Sequence, residues 1–134
     1  MNYTIYIQEK KIESFFMDNI KEFTKRLSRY CKIQLIQLKK PQEITKIKLK
    51  PGKHFVIVED QESVSSEKFA GMIKQMELHG VSNCNFYINC RPEIDNIEQF
   101  SISAFTIDPG LIAAILCEQI YRGYRINLGQ PYHK

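Results

Sequence analysis

Residues 54–89, HFVIVEDQESVSSEKFAGMIKQMELHGVSNCNFYIN, decide the fold class. Phe55-Val56-Ile57-Val58, within His54–Glu59, is a short β-branched run, the composition of a strand buried in a parallel sheet. Ser65-Ser66-Glu67 then opens a helix. A serine is placed to accept an otherwise unpaired backbone N–H, and the acid suits the positive end of the helix. Phe69, Met72, Ile73 and Met76 follow at helical spacing, so the methionines read as core filling, and Gly80 ends the helix. A second strand spans Asn85–Asn89. Strand, helix and strand in this order form a parallel crossover unit.

Working outward, Tyr3–Gln8 alternates as a first strand. Ile12, Phe15, Phe16, Ile20, Phe23, Leu27 and Tyr30 mark one apolar face of a long helix. Ile33–Leu38 is another strand, and the polar, basic stretch from Pro41 ends in the turn signal Pro51-Gly52. Downstream, Cys90 to Asn96 is a loop and Phe100–Phe105 a fifth strand. Asp108-Pro109-Gly110 starts the last helix, with Asp as cap and Pro in the first turn. Leu111 to Cys117 is apolar all round, which predicts burial on most sides and, in so small a domain, a partner subunit. The expected architecture is α/β: a mostly parallel five-stranded sheet flanked by helices, one domain over residues 1–134. Ligands in such sheets bind beyond the strand C-termini, here the loops after Val58, Asn89 and Phe105.

Composition narrows the function classes. At 43% apolar and 25% charged, the 134 residues have the balance of a globular chain. No stretch has the roughly 20 apolar residues of a membrane span, and no signal peptide is visible, so a cytoplasmic location is expected. Cys31, Cys84, Cys90 and Cys117 form no C-x-x-C pair and have no His at metal-ligand spacing, which argues for reduced thiols and no structural metal. Cys90 reads as a small buried residue before it reads as a reactive thiol. Charge is uneven: residues 1–53 hold 13 Lys/Arg against 5 Asp/Glu, and the remainder 6 against 10. A basic N-terminal half favours an anionic partner such as RNA.

The C-terminal quarter carries a more specific signal. Glu118-Gln119-Ile120-Tyr121-Arg122, followed by Pro131-Tyr132-His133-Lys134, resembles the signature of the large-subunit ribosomal RNA pseudouridine methyltransferase H family, of the SPOUT class. Ile102-Ser103-Ala104-Phe105-Thr106-Ile107 is similar to that family's Leu-Ser-Ala-Leu-Thr-Leu-like segment, and Ser65 to Ala70 to the start of its second crossover helix. The resemblance implies a SPOUT fold with a C-terminal trefoil knot, a homodimer, and S-adenosylmethionine bound in the knot. It also implies methyl transfer to N3 of a pseudouridine in large-subunit ribosomal RNA on the ribosome. By family position, Arg122 would position or stabilise the anionic base, and Tyr132 and His133 would stand at the cofactor mouth, where His133 could take the proton. Val58, Asn89 and Ile102, Ser103, Ala104, Phe105, Thr106 and Ile107 would contact the cofactor.

The chain departs from the family pattern around that pocket. A glycine-rich loop is replaced by Asn89-Cys90-Arg91-Pro92-Glu93, and a glycine is missing from Glu59 to Ser63. A Pro-His pair is replaced by Asp108-Pro109, a usual arginine by Ala113, and the second crossover is cut to about 42–50. Two readings follow. In one, the pocket is rebuilt and still holds the cofactor. In the other, the chain is a catalytically silent homologue that dimerises and binds RNA or another anionic partner.

Overall fold

The computed structural model describes residues 1–131. Its elements run β1 (Asn2–Gln8), α1 (Ser14–Leu27), β2 (Lys32–Leu38), a 3₁₀ turn (Pro41–Lys46), β3 (Lys53–Ile57), α2 (Ser66–Leu78), β4 (Asn83–Ile88), β5 (Ile97–Phe100) and α3 (Pro109–Asn127). The strands form one sheet in the order β2-β1-β4-β3-β5, and every pairing is parallel.

This order and the right-handed rule for crossovers fix where each connection lies. The β1-to-β2 and β3-to-β4 connections step across the sheet in the same direction, so α1 and α2 share one face. The β2-to-β3 connection steps the other way and covers the opposite face. Side-chain alternation agrees. Tyr3, Ile5 and Ile7 of β1 join Phe55, Phe86 and Phe100 in a core with Ile20, Leu27, Phe69, Ile73 and the inner side of α3. Tyr6, Val56 and Tyr87 point to the other face, where they meet Leu38 and Ile44 of the 3₁₀ turn. A short turn suffices there because Tyr6 and Tyr87 stack with ring centroids 5.2 Å apart and cover much of that layer themselves.

Local signals act as expected at most boundaries. The Ser65 hydroxyl accepts from the Lys68 N–H, and Gly80 takes the left-handed conformation (φ +73) just past α2. Asp108 accepts from the Gly110 and Leu111 N–H groups at the start of α3.

One expectation needs correction. The fifth strand is Ile97–Phe100, not Phe100–Phe105. Among the described residues its only strand neighbour is β3, whose last paired residue, Ile57, faces Phe100, so the ladder ends there and Ser101 and Ser103 bond to the loop after β3 instead. Ser101 also turns its hydroxyl onto the carbonyls of Asp60 and Ser103 (3.1 and 3.2 Å), a local bond that competes with extended structure. In this single chain α3 buries Ala113, Leu116 and Cys117, while Leu111 is 37% exposed and Ile112 and Ile115 are half-buried, which leaves the expected partner subunit untested. Phe15 of the predicted α1 face likewise stands 59% exposed.

Candidate active site

All five strands point their C-terminal ends toward one edge of the sheet, and the segments that leave that edge enclose a cavity of about 410 Å³. Ile57, Ile88, Ile102 and Ile112 give it apolar walls, and Glu9 and Glu59 are the two acidic residues along it. Its volume lies in the range of small-molecule sites, roughly 300–1,000 Å³.

Three local structures hold this space open. Asn89, directly after β4, has φ +57, in the left-handed region that favours glycine. Asparagine is among the few side chains that tolerate that region, and here its amide donates to the Gln8 carbonyl (3.0 Å) and Gln8 Oε1 (2.7 Å). The sharp exit from β4 therefore survives without the loop glycines. The loop after β3 is stitched to the segment after β5: the Asp60 N–H donates to the Ser103 carbonyl (3.3 Å) and the Val64 N–H to the Ser101 carbonyl (2.8 Å). Ser103 accepts the Phe105 N–H at 2.9 Å, folding residues 103–105 into a tight turn. Finally, the capped start of α3 places Pro109 and Ile112 on the cavity wall.

Of the residues proposed from sequence, Val58, Asn89, Ile102, Ser103, Phe105, Thr106 and Ile107 line the cavity, and Ala104 does not. Arg91 and Pro92 do not intrude. Pro92 is buried elsewhere and Arg91 is exposed. Sequence reasoning missed Glu9, Ile57, Glu59, Ile88, Pro109 and Ile112. Glu59 and Pro109 flank predicted positions, but nothing in the sequence marks Glu9, which follows β1 and enters only because β1 is an interior strand beside β4. Cys90 is half-buried. Its thiol is pushed up to about 11 by burial and contacts the Tyr6 carbonyl at 3.8 Å, so it is a poor nucleophile.

Arg122 is not in this cavity. It follows Ile112 by ten positions in α3, about 15 Å along the axis, and its guanidinium pairs with Glu118 at 3.1 Å. Tyr132 and His133 lie outside the described residues. The chain leading to them is fixed, however. Arg125 donates to the Pro131 carbonyl through Nε (3.0 Å) and Nη2 (2.6 Å), and through Nη1 to Gln130 Oε1 (3.0 Å). Tyr30 donates to the same Gln130 oxygen at 2.9 Å, and the Arg125 guanidinium holds its phenol below the usual tyrosine range. Among the described residues no three His, Cys, Asp or Glu side chains gather as a metal ion would require, and no helix is long and apolar enough to cross a membrane.

In all-parallel sheets ligands bind beyond the strand C-termini, where this cavity lies with the first turn of α3 on its wall. The family described as predicted SPOUT methyltransferase matches residues 1–133, and the chain belongs to it. Among its relatives, Ribosomal RNA large subunit methyltransferase H 1 of Thermoanaerobacter sp. is 40% identical over 134 residues, covering all of both chains. The Ribosomal RNA large subunit methyltransferase H proteins of Clostridium novyi and Bifidobacterium adolescentis are 36% and 34% identical over 159 aligned positions, again covering all of both chains. The short form of this chain thus matches end to end a Thermoanaerobacter relative that bears the methyltransferase name.

Proposed function

We propose that this protein transfers a methyl group from S-adenosylmethionine to a base of large-subunit ribosomal RNA in the cytoplasm, at N3 of a pseudouridine as the resemblance implies. The observation that carries this reading is the open cavity at the strand C-termini, kept in shape by Asn89 in the left-handed conformation. The residues present suit the cofactor. Isoleucines at 57, 88, 102 and 112 offer apolar faces to an adenine, and backbone from residues 102–107 offers hydrogen bonds. Glu9 and Glu59 offer negative charge to a sulfonium and an ammonium. The silent-homologue reading rests on the departures around the pocket, and against it the bulky Cys90-Arg91-Pro92 stretch leaves that space open.

When bound, S-adenosylmethionine would supply an electrophilic methyl on a sulfonium, with a neutral thioether as leaving group. The protein's share is geometry and charge: the acceptor nitrogen must be held in line, and its proton must depart. Arg122 stabilises the anionic base, and His133, with Tyr132, takes the N3 proton. Arg122 stands about 15 Å along α3 from Ile112, so this role for it needs a homodimer in which it reaches the cavity of a second copy. Exposed Phe105 (80%), Phe15 (59%) and Leu111 around the start of α3 supply an apolar surface for that copy. The trefoil threading of the SPOUT class is part of this reading and rests on membership of the family.

Calorimetric titration with S-adenosylmethionine, followed by transfer of a radiolabelled methyl to ribosomes lacking the modification, tests this reading. One cofactor per chain and label in the large-subunit RNA are expected. No heat and no thermal shift at millimolar cofactor would sink it.

A further inference from the structure

The N-terminal lysines are not spread evenly over the surface, and one group of them borders the cavity. Glu9 lines the cavity, and Lys10 and Lys11 follow it directly. Lys39 and Lys40 leave the neighbouring strand at the same edge, because β1 and β2 are parallel and in register, with Gln8 opposite Leu38. Side chains tie the two exits together. Gln37 donates to the carbonyls of Glu9 (2.8 Å) and Lys10 (3.2 Å), and Gln8 donates to the carbonyl of Lys39 (3.3 Å). The Glu9 N–H also donates to the Leu38 carbonyl (2.9 Å). All four lysines are exposed, and among the described residues none has a carboxylate within ion-pairing distance. The nearest acid along the 3₁₀ turn, Glu43, is occupied with the Lys40 backbone N–H at 3.0 Å.

We propose that Lys10, Lys11, Lys39 and Lys40 form the rim that grips the RNA phosphates flanking the target nucleotide while its base enters the cavity. This rests on the methyl-transfer reading above and adds where the RNA lies on the protein. Adjacent phosphates along a strand are only a few ångströms apart, so lysines one and two positions from a cavity-lining residue are within reach of the nucleotides beside an inserted base. A fixed pair of strand exits with unpaired ammonium groups binds backbone without reading sequence. The two arginines near the end of α1, Arg26 and Arg29, are spent differently. Arg26 is paired with Glu22 at 3.0 Å and lies over Phe23 and Tyr121, and Arg29 lies over Tyr30.

The test compares K10A/K11A/K39A/K40A with R26A/R29A for binding of a fluorescein-labelled RNA hairpin with an unpaired loop, between 50 and 200 mM salt. Calorimetry with S-adenosylmethionine runs in parallel. The lysine variant is expected to bind the hairpin at least tenfold more weakly at low salt. The slope of log affinity against log salt should flatten by about 0.7–1 for each phosphate that is no longer neutralised. Cofactor binding should be unchanged, and R26A/R29A should retain wild-type affinity. Equal slopes for the lysine variant and wild type, a loss in R26A/R29A as large as in the lysine variant, or no hairpin binding by wild type would each overturn the proposal. Intact cofactor heats in those outcomes leave the methyl-transfer reading standing, whereas absent cofactor heat in the wild type strikes that reading instead.

Discussion

Replacing Asn89 separates the two things its side chain does. Its backbone sits at φ +57, where a residue with a Cβ is strained by about 1–2 kcal/mol and glycine is not. Its amide makes two hydrogen bonds to Gln8, worth together on the order of 1–2 kcal/mol, at the lower end because Asn89 is exposed. Asn89→Ala and Asn89→Gly lose the hydrogen bonds equally, but only alanine keeps the strain. Glycine gives back about 0.4–1 kcal/mol through the greater freedom of its unfolded chain. The difference leaves Asn89→Gly more stable than Asn89→Ala by about 0.5–1 kcal/mol. For a chain of this length that is a gap of roughly 2–4 °C in melting temperature. Thermal and urea melts of both variants measure it, and cofactor titration should show the glycine variant closer to wild type in affinity. An alanine variant that melts at or above the glycine variant would refute the claim that a left-handed residue shapes this loop.

Three further outcomes follow. Ile112→Trp places a large ring on the cavity wall from a half-buried position; S-adenosylmethionine heats should vanish in calorimetry while the melting temperature moves by only a few degrees. Gly52 has φ +149, and a Cβ there would collide with the Asn83 carbonyl. Gly52→Ala should therefore lose roughly 2–4 kcal/mol in urea denaturation. His54 is buried with Nδ1 2.8 Å from the Tyr87 hydroxyl, and burial pushes its pKa below the usual imidazole value of about 6.5. As pH falls through that value the unfolded chain gains a proton that the folded chain refuses, so stability declines below about pH 6.5. His54→Gln should remove that part of the decline, and identical pH profiles for the two proteins would show that His54 does not contribute it.

The parallel sheet was legible because its signals are local: β-branched runs, a serine cap, a Gly terminator and an Asp-Pro start are each written in a few adjacent residues. The end of β5 was not, because Ile102 and Phe105 suit a strand and only the length of β3 decides where pairing stops. For α3, likewise, periodicity shows that a helix is apolar without showing what covers its outer flank. At the site, the missing loop glycines looked like damage. The sequence nonetheless held the answer in Asn89, the residue type that most readily replaces glycine at positive φ. Glu9 was invisible because its place in the cavity depends on strand order. Arg122 sits close to the terminal motif in sequence, yet its own helix carries it away from the cavity.

Placing the first strand inside the sheet also dictates when the molecule can be completed during synthesis. Asn2 pairs with Asn83, and the Tyr3 hydroxyl meets that of Tyr124, 121 positions later. Until β4 emerges, the buried tyrosines and isoleucines of β1 have only β2 and α1 as company. At about 5–20 residues per second the nascent chain carries that open apolar edge for several seconds. Closure must wait until α3 has been made. The many sequence-distant pairings then make folding slow.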